Sequence, residues 1–220
     1  MLSLKTTISN TSLFGMLSDA QLDQIAAASS MTSVMADTNV INHGDAPSGV
    51  FWLIRGQVKI AVNVNNGNEK VIEILGKETC FGLGEMLLGQ EHLAFVTATT
   101  DSMVLHTKRE TVLQVAEANP QFAREIMTCV GRQFCGLMRD IDGYSKSAKQ
   151  RLAAYLLRQS RRETSVDIRL VANKGLIASR LSLTRETLSR LFQDFSKAGL
   201  IAVSGRHIKI LDHERLALEC

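Results

Sequence analysis

The rhythm of apolar and polar positions changes three times along the 220 residues. Over residues 12–30, Leu13, Phe14, Met16, Leu17, Leu22, Ile25 and Ala26 recur at helical spacing, with Ser18-Asp19 ahead of the second group. This predicts one or two short helices, with Ser18 as an N-cap. From about Ser33 to Arg109 the rhythm becomes short apolar runs broken by Gly, Asn and Asp. Val58, Ile60, Val62 and Val64 alternate with Lys59 and Asn63, the period of a strand. Asn65-Asn66-Gly67-Asn68 reads as a hairpin turn, because Asn and Gly tolerate positive φ. Val71, Ile72, Ile74 and Leu75 resume the strand texture, and residues 95–99 and 103–107 repeat it. Many short strands at close spacing predict an antiparallel roll or barrel.

The third rhythm is helical again. Residues 110–117 form a short helix, and Asn119-Pro120 opens a long one, Pro being well suited to a first helical turn. Phe122, Ile126, Val130, Phe134 (or Gln133), Leu137, Ile141 and Tyr144 then recur at steps of three or four. Such a narrow seam predicts a coiled-coil-like homodimer helix; a helix packed on its own domain gives the same stripe. Gly143 and Ser145-Lys146-Ser147 read as a hinge. Gln150 to Arg162 is an amphipathic helix ending in Arg158, Arg161 and Arg162, and Val166, Ile168 and Leu170 alternate as a short strand. A helix over Lys174–Leu181, a turn at Ser182-Leu183 and a helix begun by Thr184 and stopped by Gly199 make a helix-turn-helix. Its second helix carries the apolar stripe Leu188, Leu191, Phe192 and Phe195. Residues 200–203, the Ser204-Gly205 turn and residues 207–211 add a hairpin, or wing.

The fold class expected is therefore α+β: an N-terminal antiparallel β-roll, a long dimerisation helix and a C-terminal winged helix-turn-helix. The domains expected are 1–117, 118–146 and 147–220.

Composition narrows the partners. Hydrophobic residues make up 45% and charged residues 21%, which reads as globular. With no apolar run of about 18 residues and no secretory pattern at the N-terminus, the expectation is a cytoplasmic protein without a membrane role. The four cysteines, Cys80, Cys129, Cys135 and Cys220, have no zinc spacing and are expected as reduced thiols. Net charge is +3, unevenly placed. Residues 1–146 hold 11 Lys and Arg against 15 Asp and Glu, whereas residues 147–220 hold 14 against 7. A basic C-terminal third is the electrostatic footprint of nucleic acid binding on one part only.

The chemistry of that part agrees. Glu186, Ser189 and Arg190 stand at i, i+3 and i+4, so a helix puts them on one face. Glu can accept from a cytosine amine, and Arg can bind guanine O6 and N7 bidentately. In the roll, Phe81-Gly82-Leu83-Gly84-Glu85 suggests a tight turn into a short helix whose free N–H groups could cradle an anion; a plain loop fits the same letters. No Ser/His/Asp grouping, metal spacing or P-loop points to an enzyme.

In order and in motif, the chain resembles the cyclic-AMP receptor protein/FNR (Crp/Fnr) family of bacterial transcription regulators. The resemblance rests on residues 184–190 (TRETLSR), Gly199-Leu200-Ile201 and the wing, on residues 49–60 (GVFWLIRGQVKI), and on the Phe81–Glu85 cassette. It implies a homodimer with a cyclic-nucleotide-binding-like effector roll, double-stranded DNA as ligand, a palindromic operator and RNA polymerase as a partner. Arg185, Glu186, Ser189 and Arg190 match the family's base-reading positions, with Thr184, Thr187, Arg180 and Arg206 as expected backbone contacts. Ser189 favours the TTGAT-type half-site of FNR-like members, whereas Arg185-Glu186-Thr187 also matches the cyclic-AMP branch.

The expected sensor departs from both branches. Gly82, Gly84, Glu85, His92, Leu93 and Leu137 are the effector-pocket candidates. His92-Leu93 replaces the Arg-Ser pair with which the cyclic-AMP branch grips phosphate, and neither side chain substitutes for a bidentate guanidinium. Residues 1–79 hold no cysteine, so the FNR iron–sulfur cluster is excluded. Haem-linked nitric-oxide or carbon-monoxide regulators of the family lack both signatures too. Haem is therefore a candidate effector, with His43, His92, His106 and Cys80 as candidate ligands and no metal site assigned. A thiol switch has no local support, since nothing near the cysteines in sequence depresses a thiol pKa. A cyclic-nucleotide-binding regulatory protein acting on a protein partner is the alternative; it predicts an intact phosphate-gripping Arg and no basic reading helix.

Overall fold

The computed structural model describes residues 3–64, 69–170 and 172–220, with the side chains of 139, 140, 142, 144, 162 and 163 excepted. The expected hairpin turn at 65–68 and the side chains of Tyr144 and Arg162 lie outside the described residues. The chain divides into two units, Met1–Asn68 with Ile72–Gly136, and Glu69–Val71 with Leu137–Cys220.

Local signals start the first unit. Helix α1 (Leu4–Ser9) precedes α2 (Asp19–Ala27). The Ser18 hydroxyl accepts from the Gln21 backbone N–H, while the Gln21 side chain accepts from the Ser18 N–H at 3.1 Å. This capping box satisfies two donors that the helix itself cannot. Strands β1 (Ser29–Val34), β2 (Asn39–Ile41), β3 (Gly49–Arg55), β4 (Val58–Asn63), β5 (Glu69–Leu75), β6 (Thr79–Phe81), β7 (Phe95–Ala98) and β8 (Ser102–Lys108) follow, with α3 (Leu83–Leu88) between β6 and β7. They form two four-stranded sheets, ordered β1-β8-β3-β6 and β2-β7-β4-β5.

Period-two alternation divides β3 between two cores. Leu53 joins Ile41, Val58, Leu75, Phe81, Val96 and Val104 in one, with Phe51 packed against it. Val50 and Trp52 join Leu105 and the helical residues Ile8, Phe14, Ile25, Val112 and Phe122 in the other. The roll is thus filled on one face and covered by helices on the other.

Helix α4 (Arg109–Ala118) leads to α5 (Pro120–Asp142). The Asn119 side-chain oxygen caps α5, accepting from the Gln121 and Phe122 N–H groups, both at 3.1 Å. The expected seam is corrected here. Phe122 and Ile126 are 0% and 2% exposed within the roll's helical core, and the Phe122 ring lies 5.8 Å from that of Phe14. Val130 is half-buried against the same core. Inward packing and dimer packing impose the same three-to-four step, so the stripe alone does not separate them. The apolar residues left exposed on α5 are Met127, Phe134, Leu137, Met138 and Ile141. Phe134, Leu137 and Ile141 of the expected seam are among them.

In the second unit a 3-10 turn spans Gly143–Ser145 and α6 (Ala148–Glu163) follows. Ser147 and Gln150 form a second capping box, with the Ser147 N–H donating to the Gln150 side-chain oxygen Oε1 at 2.8 Å. After β9 (Asp167–Arg169) come α7 (Lys174–Arg180), α8 (Arg185–Lys197), β10 (Ile201–Ser204), β11 (His207–Ile210) and α9 (His213–Ala217). The three strands form a sheet ordered β10-β11-β9. Leu152, Leu156, Ile177, Ala178, Leu188, Phe192, Phe195, Ile208 and Leu216 fill its core. Among the described residues, no helix is long and apolar enough to cross a membrane.

Candidate nucleic-acid interface and effector cavity

The turn before α8 is set by backbone chemistry. Ser182 adopts a left-handed φ of 55°, and the Leu183 N–H donates to the Ala178 carbonyl at 2.9 Å. Ala178 is 2% exposed at this point of the helix pair, where a larger side chain would push against its neighbours. Thr184 then caps α8, its hydroxyl accepting from the Thr187 N–H at 3.1 Å and sharing a 3.0 Å hydrogen bond with the Thr187 hydroxyl. These two threonines therefore build the start of the reading helix.

Leu188, Phe192 and Phe195 turn one side of α8 into the core. Arg185, Glu186 and Arg190 are left exposed, with Ser189 half-buried beside them. The structure thus brings all four expected base-reading residues to the free side of one helix. The Glu186 carboxyl is held below the usual carboxylate range, chiefly by its own backbone N–H, with the Thr184 hydroxyl and the Arg185 charge adding to the effect. It is an ionised, acceptor-only group at neutral pH. Arg190 makes no hydrogen bond or ion pair among the described residues. Arg206 is exposed beside Gly205 in the wing turn, where φ is 61°. Arg180 is half-buried at the end of α7 and already engaged by another group.

The sensor residues divide. Gly82 caps α3 with a left-handed φ of 77°, and a Cβ there would lie 3.3 Å from Phe51 and 3.4 Å from the His92 ring. His92 is 4% exposed, with Nδ1 3.8 Å from a Glu85 carboxylate oxygen. Gly82, Glu85 and His92 therefore come together. Gly84 sits within the first turn of α3 rather than in the preceding turn, and a Cβ there would meet no atom within 4 Å. Leu93 is 73% exposed and Leu137 lies on the open stripe of α5 at 43%, so neither is enclosed as a pocket residue would be.

A cavity of about 380 Å³ does open in the roll, and none of the six expected pocket residues lines it. Its wall includes Val34, Asn39, Val40, Phe51, Val104 and His106. These come from β1, β2, β3 and β8, and the volume lies in the range of small-molecule sites. His106 is the one haem-ligand candidate on the wall. Its Nε2 is 3.0 Å from the Ser48 hydroxyl and its ring 4.7 Å from that of Phe51. Burial holds its pKa below the ordinary histidine value, Ser48 opposes this, and the Lys108 charge assists it. A neutral imidazole keeps a lone pair for an iron or a hydrogen-bond donor. A haem would find that base and the apolar surfaces of Phe51, Val34 and Val40; no Lys or Arg is among the described residues lining the cavity to meet its propionates. His43 is exposed in a turn, and Cys80 is buried in the helical core. Among the described residues, no three His, Cys, Asp or Glu side chains converge as a metal site.

A winged helix-turn-helix with an open reading face, carried behind a cyclic-nucleotide-binding-like roll, defines a class of DNA-binding transcription regulators. Residues 150–218 match the model of the Crp-like helix-turn-helix domain, and residues 31–119 that of the cyclic nucleotide-binding domain. The chain is 30% identical over 186 residues to the fumarate and nitrate reduction regulatory protein of Escherichia coli strain K12, covering 79% of this chain and 72% of that one. It is 29% identical over 191 residues to electron transport regulator A of Shewanella oneidensis, covering 81% and 74%. The structure of FixK2 from Bradyrhizobium japonicum superposes with a TM-score of 0.79 at 22% identity, covering 87% of this chain and 96% of that one, which establishes the shared fold. The chain belongs to the Crp/Fnr family of transcription regulators.

Proposed function

We propose that this regulator works as a homodimer on a palindromic operator and is gated by a small effector other than cyclic AMP. The observation that carries the DNA reading is the face of α8: Arg185, Glu186, Ser189 and Arg190 are not needed for its core packing. A palindrome follows from two such helices related by a two-fold axis. The exposed stripe Met127, Phe134, Leu137, Met138 and Ile141 supports dimerisation, because water-facing apolar residues in a row on one helix are stabilised by a second copy. RNA polymerase is the partner the family implies, and the protein acts in the cytoplasm as a regulator rather than an enzyme.

For the effector, the support is the pair His92 and Leu93 where a phosphate-gripping Arg and Ser would stand, together with the roll cavity and its neutral His106. Haem held by His106, with nitric oxide as its ligand, is the specific form to test. Purified protein titrated with haem under reduction should develop a Soret band at one equivalent, absent in His106→Ala. Haem gating is wrong if the band is the same in both, or if no stoichiometric band forms. Operator selection from random duplexes at fixed salt tests the rest. The expected product is a two-fold symmetric site bound by a dimer, and recovery of unrelated sequences overturns the reading.

A further inference from the structure

The cysteines, silent in the sequence, are paired in space. Cys80 lies on β6, two residues before the cap Gly82, and Cys129 lies 49 positions further on, in α5. Both belong to the core between the sheet β1-β8-β3-β6 and the helices, Cys80 buried and Cys129 half-buried at its edge. One helical turn beyond Cys129, the Gln133 side-chain amide donates to the Cys80 carbonyl at 3.1 Å, which seats this part of α5 directly on β6. Cys129 stands one turn before Gln133 on the same side of α5, so its sulfur faces the same stretch of β6 that carries Cys80. Within the described residues neither is in a disulfide.

The environment makes the pair unequal. The pKa of Cys129 is held down to about 7, first by the neighbouring Cys80 thiol and then by the Arg132 charge, against burial and the Glu125 carboxylate. Cys80 is pushed well above its ordinary value, since losing a proton beside the Cys129 sulfur and inside the core is costly. The sulfur that loses its proton more readily is thus the one on the solvent-reachable side. An accessible thiolate beside a buried thiol is the arrangement in which oxidation proceeds in two steps.

We propose that Cys129 and Cys80 form a peroxide-reactive dithiol, with Cys129 as the attacking sulfur and Cys80 as the resolving one. The Cys129 thiolate attacks one oxygen of a hydroperoxide. An S–O bond forms, the O–O bond breaks, and the other oxygen leaves as hydroxide or alkoxide and takes a proton from water. The Cys80 sulfur then attacks the sulfur of the Cys129 sulfenic acid. An S–S bond forms, the S–O bond breaks, and the hydroxyl leaves with the Cys80 proton as water. Two thiols are oxidised by two electrons and one peroxide is reduced. The product ties α5 to β6 next to the α3 cassette, joining the helix with the exposed apolar stripe to the segment that positions Gly82, Glu85 and His92. Cys135 and Cys220 have no such neighbour among the described cysteines and serve as internal controls.

The test uses the full chain, reduced, desalted and exposed to a small excess of hydrogen peroxide before alkylation with iodoacetamide and peptide mapping. The expected result is a cross-linked peptide containing Cys80 and Cys129, two mass units lighter than the two thiol peptides, with Cys135 and Cys220 still alkylated. In Cys80→Ser, a dimedone adduct should accumulate on Cys129. Alkylation of Cys129 in untreated protein should reach half its maximal rate near pH 7, and Arg132→Gln should move that midpoint upward. Full alkylation of Cys80 and Cys129 after peroxide, or oxidation confined to Cys135 and Cys220, overturns the proposal.

Discussion

The reading helix and the sensor roll solve the same problem, holding a few polar groups for a ligand, in opposite ways. On α8 the four proposed base-reading residues lie within six consecutive positions, are mostly exposed, and stand opposite the face that packs. In the roll, the cavity wall is drawn from residues between 32 and 106; Val34, Val40, Phe51 and Val104 also form part of a core, whereas Thr32, Ser33, Met35, Thr38 and Asn39 are exposed. A binding group on α8 can therefore change with little cost to the fold. Phe51 or Val104 on the cavity wall cannot change without moving the core residues packed against it. The difference explains how a reading face can match the family while the sensor departs from it: the two sites are under different packing constraints.

The largest expected effect separates packing from binding on one helix. Phe122→Ala should lower unfolding free energy by about 3–5 kcal/mol, because a fully buried ring leaves a cavity beside Phe14. Phe134→Ala, 61% exposed on the same helix, should leave the stability of the monomer nearly unchanged and weaken dimerisation by more than about 1 kcal/mol. Urea unfolding and sedimentation equilibrium read the two quantities separately. Equal losses of stability in both variants would mean that the division drawn along α5 is false.

That division also marks how far the letters reach. The caps at Ser18 and Thr184 are local: a hydroxyl and an N–H three residues apart are enough to start a helix, and the reading face needs only helical spacing; Ser147, read as part of a hinge, is a cap as well. The roll was legible as many short antiparallel strands. Which residues would enclose a cavity was not, since Asn39, Phe51 and His106 meet only after the strands have paired. The meeting of Cys80 with Cys129 is hidden in the same way. Leu93 illustrates the converse: adjacency to His92 in sequence does not place both inside, His92 being 4% and Leu93 73% exposed. Helices α1 and α9 escape pattern reading because six and five residues are too few for a stripe.

A smaller effect tests the reading face itself. Arg190→Ala should cost about 1–3 kcal/mol on the cognate half-site and relax the preference at one base pair. Arg206→Ala, on the wing, should weaken binding to cognate and random duplexes alike and lower the slope of log K against log salt by about 0.9 for each phosphate left without its cation. Fluorescence anisotropy across a salt series with both duplexes distinguishes them. A uniform loss for Arg190→Ala would reduce α8 from a base reader to a phosphate clamp, and the contrast with the roll would lose its functional half.

The smallest expected effect comes from the roll, and its direction follows from burial. His106 is held below its ordinary pKa, so the folded protein favours the neutral ring more strongly than the unfolded chain does. The stabilisation is fully present above the unfolded histidine value, about 6.5. It declines as pH falls from there through the lower folded value, because the unfolded chain takes up a proton that the folded one resists. His106→Gln removes the titrating group and keeps a polar side chain near Ser48. The gap in urea midpoint between wild type and variant should therefore shift against the wild type on going from pH 7.5 to pH 5.5. A ligand that binds the neutral imidazole should deepen the acid sensitivity of the loaded protein, since protonation would then also release the ligand. If the midpoints of the two proteins keep a constant separation across this range, His106 is open to water in solution and the roll holds no dry, preformed site around it. The contrast between the reading face and the partly packed cavity would then rest on Phe51 and its apolar neighbours alone.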